Sequence, residues 1–114
     1  MAQIERMGAA ADFERLTPQE VAERVARGVR LVDVREPGEY EAAHIEGAEL
    51  VPLSSFDPDD FAPDSEVVFH CRSGGRTRRL AEALTARGWT RVTHLEGGIL
   101  AWDEAGLPVA RPAD

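Results

Sequence analysis

Glu66-Val67-Val68-Phe69-His70 runs straight into Cys71-Arg72-Ser73-Gly74-Gly75-Arg76-Thr77, and this junction decides the fold class. Val67-Val68-Phe69 is an unbroken apolar run, the pattern of a central parallel strand buried on both faces. From Thr77 to Arg87, Leu80, Ala83 and Leu84 recur at helical spacing, and Gly88 closes the segment. The stretch therefore reads as buried strand, glycine-containing loop and helix, with a cysteine at the carboxyl end of the strand.

Similar units lie on either side. Phe13 to Leu16 predicts a short strand. Thr17-Pro18-Gln19-Glu20 has the form of a helix start, with Thr17 as N-cap, Pro18 at the first helical position and Glu20 three residues after the cap. Val21, Ala22, Val25 and Ala26 share a face of that helix, and Gly28 stops it. Val29 to Val34 predicts a buried strand, Glu36 to Ala43 a short helix after Pro37-Gly38, and Ala48 to Pro52 another short strand. The stretch 54–64 reads as a loop or a short irregular helix. Val92 to Leu95 is the last strand, Gly97-Gly98 a turn, and Ile99 to Ala105 a final helix ended by Gly106. Strands alternating with helices imply a three-layer α/β/α domain around a central, mainly parallel five-stranded sheet. In such sheets ligands bind beyond the carboxyl ends of the strands, where Cys71 stands. The domain is expected over residues 13–110, after a flexible N-terminal segment, 1–12.

The bulk numbers narrow the function. A chain of 114 residues, 43% of them apolar, suits one packed domain. The net charge of −8 argues against nucleic-acid and membrane-surface partners. No stretch approaches the roughly 20 apolar residues of a membrane helix, and the amino-terminal residues lack the apolar block of a secretory signal. A cytoplasmic protein, monomer or homodimer, is expected. All thirteen basic residues are arginine, and six of them (Arg72, Arg76, Arg78, Arg79, Arg87, Arg91) fall in one stretch, 71–91, with Glu82 as its only acid. This segment can attract a small anion, although Arg78, Arg79, Arg87 and Arg91 equally fit a solvated helix face. A single cysteine cannot form an internal disulfide. His44, His70 and His94 are too scattered for metal-ligand spacing, so no metal site is expected, and the three read as structural residues.

The chemistry concentrates on the loop. Gly74 and Gly75 permit backbone angles closed to other residues, and a short turn can direct several N–H groups inward as an anion nest. The following helix adds its positive end, and Arg72 and Arg76 add full charges. A thiol placed there is expected to ionise easily and act as a nucleophile. Ser73 and Thr77 can give hydroxyl hydrogen bonds to the sulfur or cap the helix, capping being the expected role of Thr77. His70 points away from Cys71 by strand alternation.

Five pieces of the chain, in order and spacing, resemble the rhodanese domain over roughly residues 13–109. They are Leu31-Val32-Asp33-Val34-Arg35-Glu36, His44-Ile45-Glu46-Gly47-Ala48, the Cys71–Thr77 loop, Leu95-Glu96-Gly97-Gly98 with Ala101-Trp102, and Gly106-Leu107-Pro108-Val109. The resemblance implies a sulfurtransferase. Cys71 would take sulfur from a donor such as thiosulfate, hold it as a persulfide, and pass it to cyanide, a thiol or a protein. It implies substrate contacts at Arg72, Ser73, Gly74, Gly75, Arg76 and Thr77, and a supporting role for Asp33 and Arg35, which tie strand ends to the loop. Small sulfur-containing anions, and a protein donor or acceptor, are the implied partners. Trp102 is expected in the core. Leu50 and Gly75 depart from the family's usual residues, and neither removes the nucleophile.

Two alternatives belong to other classes. Cysteine phosphatases and arsenate reductases of related fold place five residues between cysteine and arginine; here four separate Cys71 from Arg76. A non-catalytic binding or regulatory module is the other, and it would not need the cysteine and the glycine loop that this chain retains.

Overall fold

The structure is a computed structural model describing residues 2–7 and 11–112. Strands β1 (Gln3–Arg6), β2 (Asp12–Leu16), β3 (Arg30–Asp33), β4 (His44–Ile45), β5 (Glu49–Leu50), β6 (Val67–His70), β7 (Arg91–Leu95) and β8 (Val109–Ala110) alternate with helices α1 (Pro18–Ala26), α2 (Pro37–Ala42), α3 (Gly75–Ala86) and α4 (Gly98–Glu104). Six strands form one sheet in the order β1-β2-β7-β6-β3-β5, parallel throughout except for β1. β4 and β8 make a separate antiparallel ribbon.

The alternation of side chains splits the core across this sheet. Phe13, Val32, Val67, Phe69 and Val92 face α3 and meet Leu80, Ala81 and Leu84. Leu16, Leu31, Val68 and Leu95 face the other way and meet Val21 of α1 and Ile99 and Trp102 of α4. The result is the expected three-layer arrangement. Cys71 continues the series Val67, Phe69 and lies on the α3 face, while His70 points oppositely, as alternation predicts.

The five predicted strands are all present, but the sheet has a sixth. β1 lies in the 1–12 segment that the sequence leaves without structure; residues 1 and 8–10 of it lie outside the described residues. Gln3-Ile4-Glu5-Arg6 carries one apolar side chain, Ile4, which stays 46% exposed. β1 is an edge strand held by its ladder to β2 and by ion pairs of Glu5 with Arg15 and Arg78, so no hydrophobic pattern announces it. The stretch 54–64, read as a loop or a short irregular helix, is loop with two short 3-10 turns, Leu53–Ser55 at its start and Pro58–Asp60 within it.

The α1 start is as read: Thr17 Oγ1 accepts the Glu20 N–H at 3.2 Å, and Glu20 Oε1 accepts the Thr17 N–H at 2.9 Å. Helix α3 differs, beginning at Gly75, two residues before the expected Thr77. That shift changes the site.

Candidate active site

The turn between β6 and α3 contains only Cys71, Arg72, Ser73 and Gly74. Gly74 is the N-cap of α3 with φ 112°, a left-handed conformation that glycine adopts without the steric cost of a side chain. Gly75, Arg76 and Thr77 form the first helical turn, whose N–H groups have no partner within the helix. Cys71 supplies one. Its sulfur accepts the Gly74 N–H at 3.1 Å, and the amides of Thr77 and Arg76 are directed at it as well.

These contacts set the thiol's ionisation. Burial opposes the thiolate, since Cys71 is 1% exposed. The Thr77 and Gly74 amides lead the contacts that outweigh it and hold the pKa below the ordinary thiol value. The stabilisation is therefore made of backbone dipoles at a helix N-terminus.

The Arg76 guanidinium donates to both Glu39 oxygens, at 2.7 and 2.9 Å, and its charge still interacts with Cys71. That pairing holds the Glu39 carboxyl down to about 2 and fastens α2 to the first turn of α3. Arg72 is exposed. With Arg35, Glu39, Ile99, Leu100 and Arg111 it lines a groove beside the loop. Ser73 and Gly75 are exposed at the rim. Thr77 does not serve as the N-cap. It is fully buried, and its hydroxyl donor–acceptor contacts are to Gly74 O at 3.0 Å, His94 Nδ1 at 2.6 Å and Cys71 Sγ at 3.8 Å.

Asp33 and Arg35 meet as a buried ion pair at 2.8 Å, with Arg35 Nη2 also donating to Ala43 O at 2.6 Å and Nη1 to Glu39 O at 3.4 Å. Asp33 is paired in register with His70, so the pair braces α2 against the strand end that carries Cys71.

Helix α4 braces the other side. Ile99 and Leu100 donate their N–H groups to the Cys71 and Arg72 carbonyls at 3.0 and 3.2 Å. A β-carbon at Gly98 would overlap both carbonyl oxygens. Trp102 is core, its Nε1 donating to Pro108 O at 2.8 Å.

The site is thus a buried thiol at a strand end, contacted by the amides of the next helix. The model of the rhodanese-like domain matches residues 17–105. The chain belongs to the rhodanese-like family. The rhodanese-related protein of Thermoplasma volcanium has the same fold, with a TM-score of 0.72 and 26% identity over 84% of this chain and 96% of that one. The Haemophilus influenzae protein named thiosulfate sulfurtransferase GlpE is 32% identical over 101 residues, covering 85% of this chain and 94% of that protein. An uncharacterised Synechocystis protein is 41% identical over 85 residues, or 73% of this chain; the match spans 48% of the Synechocystis protein, about half its length. Sulfurtransferases are thus among the relatives of this rhodanese-like domain.

Sequence reading did not single out Glu39 or His94. Glu39 meets Arg76 across 37 positions of chain, and no local pattern joins them. His94 reads as structural from the sequence, because a lone histidine in a strand gives no further signal.

Proposed function

We propose that this rhodanese-like domain is a sulfurtransferase that moves a sulfane sulfur through a Cys71 persulfide, with thiosulfate or another persulfide as donor. The Cys71 thiolate attacks the outer sulfur of thiosulfate, a sulfur–sulfur bond forms to Cys71, and the original sulfur–sulfur bond breaks to release sulfite. The persulfide anion then gives its terminal sulfur to cyanide, to a thiol or to another protein's thiol, and the Cys71 thiolate returns. Charge balances in both steps, so no metal or redox cofactor enters.

The observation that carries this reading is the Gly74 N–H to Cys71 Sγ bond at 3.1 Å, together with the other amides of the α3 turn. They stabilise a thiolate before attack and a persulfide anion after it, by the logic of an oxyanion hole. In this reading Arg72, Ser73 and Gly75 receive the sulfonate of the donor at the rim, Gly74, Arg76 and Thr77 line the sulfur pocket, and Asp33 and Arg35 hold the frame. The acting unit is residues 13–110. A lone free cysteine suits the reducing cytoplasm. The groove beside Arg72 leaves room for a protein donor or acceptor.

The test is thiosulfate:cyanide sulfur transfer by the wild type and by Cys71→Ser. Thiocyanate production by the wild type and none by a folded Cys71→Ser supports the reading; undiminished production by the variant refutes it.

A further inference from the structure

Thr77 Oγ1 stands between three groups that want its hydrogen: Gly74 O at 3.0 Å, His94 Nδ1 at 2.6 Å and Cys71 Sγ at 3.8 Å. A hydroxyl has one proton to donate. Beyond the ring, His94 Nε2 lies 2.8 Å from Glu96 Oε1. A carboxylate only accepts, so Nε2 carries a hydrogen and the neutral ring presents a bare Nδ1. The Thr77 hydroxyl then donates to Nδ1 and offers only lone pairs to the sulfur, which suits a thiol and opposes a thiolate. A proton on Nδ1 reverses the arrangement: Nδ1–H donates to Oγ1, and the hydroxyl hydrogen turns to Sγ.

We propose that His94, oriented by Glu96, takes up the Cys71 proton through the Thr77 hydroxyl. The proton on sulfur passes to Oγ1 as the hydroxyl proton passes to Nδ1. The electron pair of the S–H bond stays on sulfur, and the imidazolium is paired with Glu96. No proton enters or leaves the four residues, so their net charge is unchanged. The step rests on Cys71 acting as a nucleophile, as proposed above, and adds a base that its buried thiol otherwise lacks.

The surroundings fit a base rather than a fixed cation. His94 is 2% exposed, and the Phe13 ring of β2 covers it with centroids 4.3 Å apart. The charged groups facing it are Glu96 in the β7–α4 turn, Arg15 of β2 and Arg78 of α3; Arg15 also donates to Glu96 at 3.3 Å, and Glu5 of β1 pairs with both arginines. Burial, aided by the two arginines, outweighs Glu96 and holds the imidazole below its ordinary pKa, so it rests neutral and ready to accept. Register places it: β7 pairs with β6 so that His94 lies opposite Phe69, on the face that Cys71 shares.

Cys71 is the sole cysteine, so alkylation by iodoacetamide followed by intact mass reads one thiol without any sulfur donor. With His94→Leu, the relay predicts alkylation at pH 6.5 about tenfold slower, the equivalent of one pKa unit. A histidine that merely holds the Thr77 hydrogen away from sulfur predicts the opposite, because its removal frees that hydrogen for the thiolate. Glu96→Ala, at an exposed position, is expected to slow alkylation about threefold, the scale of an exposed ion pair, and it carries the test if His94→Leu does not fold by circular dichroism. Unchanged or faster alkylation in the folded variant overturns the relay. Absence of sulfur transfer by the wild type would instead overturn the proposed function, with the alkylation result unaffected.

Discussion

The carbonyl of Cys71 accepts the backbone N–H of Ile99 at 3.0 Å, so the peptide of Cys71 is held by the first turn of another helix. This contact requires Gly98, which has φ 59° and no room for a β-carbon against the Cys71 and Arg72 carbonyls. Gly98→Ala is expected to destabilise the fold by about 2–4 kcal/mol, combining left-handed strain and overpacking, and to misplace the amide cradle. Urea denaturation and the sulfur-transfer rate of the folded fraction check both effects. A variant with wild-type stability and rate would show that α4 does not position the loop.

Asp33 and Arg35 are both almost completely inaccessible. Removing the carboxylate by Asp33→Ala leaves the guanidinium buried without its ion-pair partner, which costs about 3–5 kcal/mol. Urea unfolding should register that loss. A change under about 1 kcal/mol would mean that solvent reaches Arg35 in the variant.

Glu39 titrates at about 2 in the folded protein against an ordinary 4.5. A depressed carboxyl contributes stability that is complete above the unfolded value and is lost as pH falls through the folded one. Between pH 4.5 and 2 the wild type should therefore lose more stability than Glu39→Gln. The side chain is 34% exposed, so the difference should stay within about 1 kcal/mol, as for other exposed pairs. Parallel stability curves for the two proteins over that range would contradict the Arg76–Glu39 assignment.

The thiol of Cys71 is held below its ordinary value of 9.0. Its alkylation profile in the native protein should therefore have a lower midpoint than in the urea-unfolded chain. By linkage, the thiolate's stabilisation is complete above the unfolded pKa and fades as pH falls through the native one. The stability of Cys71→Ser should consequently rise less with pH up to 9.0. A native midpoint at or above the unfolded one would show that burial outweighs the amides.

The features legible in the sequence were those carried by neighbours in the chain. The Val67–Phe69 run, the Thr17–Glu20 capping pair and the glycines after Cys71 each act within a few residues. Strand alternation placed His70 away from Cys71 for the same reason. What stayed hidden is created by tertiary packing. Glu39 reaches Arg76 only after α2 and α3 dock, and His94 reaches Thr77 only through the β6–β7 register. β1 is held by main-chain pairing and charge, which leave no apolar pattern. The start of α3 at Gly75 was missed because glycine is a poor helix former; the anion-binding geometry of the turn overrides that propensity.

The central claim is a persulfide on Cys71, and intact mass spectrometry after thiosulfate treatment tests it most directly. The wild type should gain the mass of one sulfur atom and lose it again on adding cyanide, while Cys71→Ser should gain nothing. An unchanged wild-type mass with thiosulfate and with every persulfide donor tried, or the same gain in Cys71→Ser, would contradict it.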